Sequence, residues 1–432
     1  MSSLIWWRLM VMVTLQVLTT TSATRTVLTP EVNPGCGEKE TDARMDCDEP
    51  WLIHVTANGK NDSIHHLWGT HGAPSFLVVT TALNTTMTVN WTELEVPSKA
   101  SVTFDKDPVH VFGFSIPNLI LFNDVHDTGI FDNSSQRYVV PMTDFTWEVN
   151  MVSNDSDHEV GASIQTKTFR GTSLPNETKI SVQLTAFGED GRSTLLPHLL
   201  TTPDSAQMDM ILDHLDLNLT SDDNKLYVED EGPGDISGFA NARWAMDLVI
   251  FSSEEIIDGE EGIQLSARKS LDDENTPGVF HLYEVMTSLA RNGQQGGYMQ
   301  WRPVSYLSSD RDVNVATNPN INSSFTLLKE ISQPLKESLS YAVFGDELVG
   351  KRTTAKSVVS FGLTNDNFYL ANNYTTWTVA LGHGTPPDET FSTLVIAIIA
   401  VGVSIPVLMF LIGGTVIVSR KCRRSSQPLI QD

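Results

Sequence analysis

Cysteine is scarce in this chain: Cys36, Cys47 and Cys422 are the only ones among 432 residues. This scarcity excludes the disulfide-rich frameworks of small secreted domains, so the fold must be held together by buried apolar surface. Cys36 and Cys47 enclose the segment CGEKETDARMDC, and in an oxidising compartment they are predicted to form a disulfide. Because this loop lies outside the strand-rich part of the sequence, we expect the bridge to contribute little to the core.

Positive charge is also in short supply, since 28 Lys and Arg residues stand against 53 Asp and Glu residues, for a formal net charge of -25. A protein that binds nucleic acid needs a basic face to contact phosphates, so the composition argues against that partner. The chain contains 11 histidines. With ordinary pKa values of about 6.5 they would become charged near pH 5 and offset part of the negative charge. We therefore expect the domain that carries them to be no less stable at pH 5 than at pH 7.5.

Catalytic signatures are missing as well: the sequence contains no H-E-x-x-H motif, no phosphate-binding loop and no G-x-S-x-G elbow. The segments DVHDTG (124–129) and NDSDH (154–158) offer possible metal ligands. Neither has the spacing of a calcium loop, and solvated turns are the favoured interpretation. We therefore expect no cofactor, no metal and no enzymatic activity.

One acidic stretch, LDDENTPGVF, places Asp272, Asp273 and Glu274 side by side. A glycosidase would need a second carboxyl group facing them across a substrate, and the sequence specifies no such partner. Acids also suit the first turn of a helix, where they meet the positive end of the helix dipole. Pro277 fits a first helical position. We predict a helix there, because apolar residues follow at roughly helical spacing: Phe280, Tyr283, Val285, Met286 and Leu289.

Long apolar runs occur near both ends. Residues 1–23 combine Arg8, the run LMVMVTLQVL and small residues before a cleavage point, which predicts a secretory signal peptide. Residues 391–419 contain LVIAIIAVGVSIPVLMFLIGGTVIV, long enough to cross about 30 Å of hydrocarbon as a helix. Basic residues follow at once, so residues 420–432 are predicted to be cytoplasmic and residues 24–390 luminal.

Asn-x-Ser/Thr triplets support this orientation, because all nine precede the predicted span. An occupied site must lie on the surface of a translocated domain. We predict that most of the nine carry glycans. They are Asn61, Asn84, Asn90, Asn133, Asn154, Asn176, Asn218, Asn322 and Asn373.

Alternation with period two dominates the predicted luminal part. Apolar and polar residues alternate in 180–186, and the pattern recurs in 244–250 and 377–381. The run MDMILDHLDLNL alternates with a slip at Asp213-His214, which predicts a β-bulge. We predict an all-β luminal domain of antiparallel, sandwich-type sheets with one or two short helices, followed by a single transmembrane helix. The polar stretch 221–238 is either a long loop or a boundary between two β domains.

Several blocks in one order resemble the glycosylated lysosomal membrane protein family. They are VNWTELE, DFTWEVN, LDDENTPGVFHLYEVM, QWRPVSY, YTTWTVALGHGTPPDE and, within the span, IPVLMFLIGG. The resemblance covers about residues 52–419. It implies a non-enzymatic lysosomal membrane protein that acts as an accessory subunit. Family members bind a major-facilitator dipeptide transporter, stabilise it and shield it from luminal proteases.

The chain departs from that family in its tail and in its cysteines. The relatives end in a tyrosine-based sorting signal and carry further luminal cysteines, whereas SSQPLIQD has no tyrosine. Leu429 and Ile430 are therefore predicted to act as a dileucine-type sorting signal. Within the span, Ala400 and Ser404 lie four residues apart on one helical face, where small residues permit close packing. We predict that this face docks on the transporter, and a homo-oligomer is an open alternative.

Two other functional classes compete with this interpretation. The first is a binding receptor at the cell surface or in the lysosome, with Trp68 or Trp301 as exposed platforms for carbohydrate. The second, less favoured, is a luminal hydrolase centred on Asp272 to Glu274.

Overall fold

The computed structural model describes residues 24–37, 47–133, 135–156, 158–175, 177–215, 217, 219, 239, 241–256, 262–269, 281–321, 325–366, 373–388 and 393–424. Strands dominate these ranges. The first fourteen are β1 (Thr26–Val27), β2 (Glu31–Val32), β3 (Leu52–Asn58), β4 (Asp62–Gly69), β5 (Ser75–Ala82), β6 (Met87–Val89), β7 (Val102–Phe104), β8 (His110–Ser115), β9 (Asn118–Asn123), β10 (Arg137–Pro141), β11 (Phe145–Ser156), β12 (Glu159–Phe169), β13 (Thr172–Ser173) and β14 (Lys179–Phe187).

The remaining strands complete both sheets. They are β15 (Gly191–Arg192), β16 (Leu200–Thr201), β17 (Ser205–Asp213), β18 (Ala242–Glu255), β19 (Ile263–Lys269), β20 (His281–Thr287), β21 (Gly297–Trp301), β22 (Ser305–Tyr306), β23 (Ala316–Thr317), β24 (Pro319–Ile321), β25 (Thr326–Leu327), β26 (Arg352–Phe361) and β27 (Tyr374–His383). The α-helices are α1 (Trp91–Glu95), α2 (Ser288–Arg291), α3 (Gln333–Lys336), α4 (Leu339–Phe344) and α5 (Thr393–Arg424). Short 3-10 turns occur at Met142–Asp144, Val313–Val315 and Gly345–Leu348.

Two large antiparallel sheets form the body of the protein. The twelve-stranded sheet has the order β1-β3-β4-β5-β8-β18-β26-β24, with β2 on β3, β25 on β26, and β9 joining β10 to β18. The nine-stranded sheet has the order β11-β12-β14-β17-β27-β21-β20-β19, with β13 on β12. The prediction of an all-β domain with antiparallel sheets is confirmed, although the described residues hold four short α-helices where one or two were expected.

The main core lies between these two sheets. Val55 and Phe112 from the twelve-stranded sheet and Val182 and Leu381 from the nine-stranded sheet belong to one cluster of buried apolar residues. The predicted alternation in 180–186 explains why: within these residues of β14 every second one is buried, and those between them are partly or fully exposed. Burial of one face of each sheet against the other is what makes a sandwich stable.

A second apolar cluster covers the outer face of the twelve-stranded sheet. Leu67 and Leu77 from neighbouring strands pack with Trp91 of α1 and with Leu335 and Leu339 of α3 and α4. The short helices therefore serve as a lid on this sheet, which explains why β4 and β5 are buried on both faces.

The helix predicted from Pro277 is wrong where the structure describes it. Residues 281–287 form strand β20, which pairs with β19 and β21, and only Leu289 lies in a helix, the short α2. Both faces of β20 are covered: Val285 faces the main core, while Leu282 and Glu284 are buried on the other face. Apolar residues therefore occur at adjacent positions and imitate helical spacing. Residues 270–280, which include the three adjacent acids, lie outside the described residues.

The predicted β-bulge at Asp213-His214 is also wrong. Strand β17 ends at Asp213, and His214 adopts a left-handed conformation with φ of 46°. The slip in the sequence therefore marks the end of a strand and not a bulge within one. The segment 221–238, predicted to be a loop or boundary, lies outside the described residues. The strands before and after it, β17 and β18, contribute to the same core cluster.

Candidate functional site

The glycosylation sites are the most widespread candidate functional feature. Six sequon asparagines fall among the described residues, and every one of them is exposed: Asn61, Asn84, Asn90, Asn133, Asn154 and Asn373. Asn176, Asn218 and Asn322 lie outside the described residues. Exposure is the condition that a glycan-bearing asparagine must meet, so all six have the geometry that the prediction requires.

Local geometry explains why these asparagines are accessible. Asn84 has a φ of 59° in the turn that follows β5, a conformation that asparagine tolerates better than most residues. Asn90 is the N-cap of α1, and its side-chain oxygen accepts a hydrogen bond from the Glu93 N–H at 3.3 Å. The oxygen of its amide performs the capping, while the nitrogen is the atom that would carry a glycan. Capping and glycosylation at Asn90 are therefore compatible.

The C-terminal helix is the candidate membrane anchor. Within α5, residues Val395–Lys421 are long and apolar enough to cross a membrane, and they make up the candidate span that the described residues contain. Residues 396–421 are all exposed. An exposed apolar helix of this length is suited to lipid. On it, the Ser404 hydroxyl donates to the Val401 carbonyl at 2.9 Å. Docking through Ala400 and Ser404 stays a prediction.

The segment before the anchor is fixed to the nine-stranded sheet. The Gly384 N–H donates to the Gly296 carbonyl at 2.7 Å, and the Gln300 amide donates to the Pro387 carbonyl at 3.2 Å. The same amide group donates to the Glu284 carboxylate, which is buried on the outer face of the sheet. Five residues separate Pro387 from the first residue of α5, so this stretch is at most about 20 Å long when fully extended. The sandwich is therefore held close to the membrane.

The predicted disulfide is present between Cys36 and Cys47, with their Cα atoms 6.0 Å apart. The expectation that it contributes little to the core needs correction. Cys36 follows β2, which pairs with β3, and it packs against the second apolar cluster. The loop therefore adjoins the edge of the twelve-stranded sheet. The two sorting residues, Leu429 and Ile430, lie outside the described residues.

The DVHDTG segment is not a solvated turn. Asp124 is buried, and its carboxylate accepts a hydrogen bond from Nε of Arg243 at 2.7 Å. The Arg243 guanidinium also donates to Asp127 and, at 2.9 Å, to Asp366. A buried guanidinium thus occupies the centre of the acidic group. No cluster of His, Cys, Asp and Glu suited to a metal ion occurs among the described residues.

The histidines are the residues for which sequence reasoning failed most clearly. His54, His65, His66, His71 and His383 are largely removed from solvent, and the resulting desolvation disfavours their charged forms. Burial lowers the pKa of His54 and His66 to about 3. It lowers the pKa of His65, His71 and His383 to about 4. These five stay neutral at pH 5, so the expectation that the histidines would charge there is wrong for them.

Hydrogen bonding divides these histidines into two kinds. His54 and His65 share a hydrogen bond of 2.9 Å between ring nitrogens, and His65 also contacts the Thr81 hydroxyl at 3.1 Å. Neither ring nitrogen of His66 has a hydrogen-bond partner among the described residues, and its side chain is fully buried. The hydrogen bond between His54 and His65 needs one ring nitrogen to donate and the other to accept. It can therefore form only while the pair carries at most one positive charge.

The aromatic platforms proposed for a carbohydrate receptor are not available. Trp68 is 2% exposed and Trp301 is 1% exposed, and both belong to the main core. Trp301 packs edge-on against Trp377, with ring centroids 6.3 Å apart. Neither ring can stack on a ligand from solution. The acids proposed for a hydrolase, Asp272 to Glu274, lie outside the described residues.

A β-sandwich with exposed sequons, carried on one apolar helix, defines the class: a glycoprotein domain anchored in a membrane with its bulk on the luminal side. The family described as glycosylated lysosomal membrane protein matches residues 51–424, and the chain belongs to that family. It is accordingly a single-pass type I protein of the lysosomal membrane.

Curated relatives support this assignment along nearly the whole chain. Glycosylated lysosomal membrane protein B of Xenopus laevis is 25% identical over 394 residues, covering 88% of this chain and 89% of the relative. The Danio rerio protein of the same name is 27% identical and covers 87% of this chain and 85% of its own length. The Homo sapiens protein is 23% identical, with 88% of each chain covered. Their names describe a membrane glycoprotein and no enzyme.

Proposed function

We propose that this protein is a non-enzymatic accessory subunit that binds a major-facilitator dipeptide transporter in the lysosomal membrane, stabilises it and shields it from luminal proteases. The observation that carries the proposal is the exposure of all six described sequons on a rigid β-sandwich. Glycans at these positions would surround the domain with bulky, hydrophilic chains. A protease needs access to extended backbone, which both the glycans and the paired strands deny it.

The short tether supports the same role. The segment up to Pro387 is hydrogen bonded to the sandwich, and the span begins at Thr393 or shortly after it. A domain held this close to the bilayer can cover the luminal loops of a membrane partner. A single span without internal charges cannot form a conduction path by itself, so any part in transport must come through contact with another membrane protein. Ala400 and Ser404 are the proposed contact face.

Co-purification and transporter lifetime test this proposal together. Tagged full-length protein is purified in mild detergent from lysosomes, and we expect a major-facilitator transporter to accompany it. Deleting the protein should shorten the half-life of that transporter, and inhibitors of lysosomal proteases should restore it. Removing N-glycans from the purified protein should lower its apparent mass by more than about 10 kDa, since we propose that most of the nine sequons carry glycans. A mass change that fits only one or two chains would contradict shielding by glycans.

Variants separate the parts of the mechanism. Replacing Ala400 and Ser404 with leucine should reduce co-purification while insertion in the membrane is retained, and leucine at Ile398 and Gly402, which have the same spacing on the opposite helical face, is the matched control. Replacing Leu429 and Ile430 with alanine should move the protein to the plasma membrane if these residues sort it. Unchanged lysosomal residence would instead assign delivery to the transporter or to the luminal domain.

A further inference from the structure

Strand β11 forms one free edge of the nine-stranded sheet. It runs over 12 residues and, among the described residues, pairs with β12 alone. An edge strand presents unpaired N–H and C=O groups, which makes it a template for pairing with another chain. Proteins usually block such edges with lysine, proline or a covering segment. The sequence of β11, FTWEVNMVSNDS, contains no lysine, arginine or proline. Register shifts against β12 fall before Trp147, before Met151 and after Asn154, so the regular part of the edge at this end is 151–154.

Apolar side chains make this edge more prone to pairing. Met151 is 53% exposed and Val152 is 40% exposed. Directly opposed residues of an antiparallel pair lie on the same face. Val152 is opposite Ala162, a residue of the main core, so Val152 lies on the inner face; Met151 is opposite Ser163 and lies on the outer face. Both faces of the free edge therefore carry exposed apolar surface.

The chain covers little of this edge with its own described residues. Near the start of β11, the Glu49 carboxylate accepts from the Trp147 N–H at 3.5 Å. Near the end, the Asn154 amide donates to the Thr29 hydroxyl at 2.9 Å. Asn154 is exposed, and it is the described sequon asparagine that lies within an edge strand. It stands opposite Val160, a core residue, two positions along from Val152 on the same face.

We propose that a glycan on Asn154 guards the β11 edge, and that its role is to prevent a second copy of this chain from adding its own β11 to the sheet. A branched glycan rooted on the strand occupies the space that an added strand would need. Two edges of identical sequence can pair antiparallel about a two-fold axis, which is the commonest symmetry of homodimers. The inference depends on the glycosylation proposed above and not on the transporter partner.

Two sequon variants test the proposal on the full-length protein in detergent. Asn154→Gln removes the glycan and the asparagine, while Ser156→Ala removes the glycan and keeps the Asn154 contact with Thr29. We expect both variants to at least double in average mass by light scattering as concentration rises, while the wild-type protein stays monomeric. Hydrogen exchange at β11 should slow in the associated variants, because its free N–H groups become paired.

Matched controls define the opposite outcome. Asn373→Gln removes a glycan next to β27, a central strand, and should leave the protein monomeric. Adding Val152→Lys to Asn154→Gln should restore the monomer, since a charge at an edge opposes pairing. The proposal is overturned if Asn154 carries no glycan by mass spectrometry, if both sequon variants stay monomeric, or if they associate with no change of exchange at β11. Co-purification of the transporter is a separate measurement, so its failure would leave this result unaffected.

Discussion

Two groups of polar side chains in this protein, one built on buried arginines and one on buried histidines, lose stability to acid in different pH ranges. The arginine-centred group pairs guanidinium groups with carboxylates: Arg243 with Asp124, and Arg25 with Asp62 and Asp204. The histidine group consists of rings that are buried in their neutral form, such as His66 and His383. Within the first group, Arg25 lowers the pKa of Asp62, so this pair keeps its charges when the pH falls to 5. The histidine rings of the second group are stable in their buried positions only while they are neutral.

Linkage gives the sign of each effect. The hydrogen bond from Arg25 lowers the pKa of Asp62, so the stability that this carboxylate contributes is present above its unfolded value of about 4 and is lost only as the pH falls through the folded value. Burial lowers the pKa of His66 to about 3, whereas an unfolded chain protonates histidine near 6.5. The unfolded state therefore gains protons first, and stability falls as the pH drops below about 6.5.

The largest effect should come from breaking the arginine-centred group. Replacing Arg243 with methionine leaves the buried Asp124 without its cation, and we expect a loss of about 3–5 kcal/mol of unfolding free energy at pH 7.5. Chemical denaturation followed by tryptophan fluorescence measures it. Lys351→Met is the control, because the Lys351–Glu347 pair is largely exposed and its loss should cause no measurable change. An Arg243→Met protein as stable as wild type would show that the Arg243 ion pairs do not contribute to the free energy of unfolding.

The sequence revealed this contrast only in part. The alternation in 180–186 predicted a half-buried strand correctly, because one sheet face and one period decide the pattern. The sandwich, the span and the disulfide followed from equally local signals. Arg243 and Asp124 are 119 positions apart, so no local pattern could join them. A strand that is covered on both faces has no alternation of apolar and polar residues. The sequence of β20 therefore resembles that of a helix, and the sequence of β4 does not reveal that His65 and His66 are buried.

Among the candidate sites, the sequons were the easiest to predict. A three-residue motif defines each one, and the turns and caps that hold Asn84 and Asn90 favour asparagine for the same local reasons. The motif does not show where in a sheet its asparagine lies. That Asn154 belongs to a free edge depends on which strands pair with β11, a long-range property of the fold.

The second prediction concerns His66, whose effect should depend on pH. Replacing it with phenylalanine fills the same core position with a ring that takes up no proton. Relative to wild type, we expect the variant to gain about 2 kcal/mol of stability between pH 7.5 and pH 5, since protonation of this ring stabilises the unfolded wild-type chain and cannot stabilise the unfolded variant. Denaturation curves at both pH values measure the change. Ile64→Val, on the same strand and in the same core, should shift stability equally at both. A His66→Phe profile parallel to wild type would show that this ring does not contribute to acid sensitivity.

The smallest effect should come from Asp62, and it sharpens the comparison from the other side. Asp62→Asn removes one of the two carboxylates that contact Arg25, and Asp204, 2.6 Å away, remains to pair with the guanidinium. The Asp62 side chain is 40% exposed, so water screens the pair and we expect a loss of only about 0.5 kcal/mol. The pH dependence is more informative than the size. Because Arg25 lowers the pKa of Asp62, the difference from wild type should be the same at pH 7.5 and pH 5, and it should shrink only as the pH falls below the unfolded value of about 4 and through the lower folded value. Careful denaturation series at three pH values can resolve it.

The opposite outcome is a difference that changes between pH 7.5 and pH 5, which is the pH range assigned to the histidines. The two groups would then not be separate, and the carboxylates and histidines at this end of the sandwich would have to be treated as one coupled system.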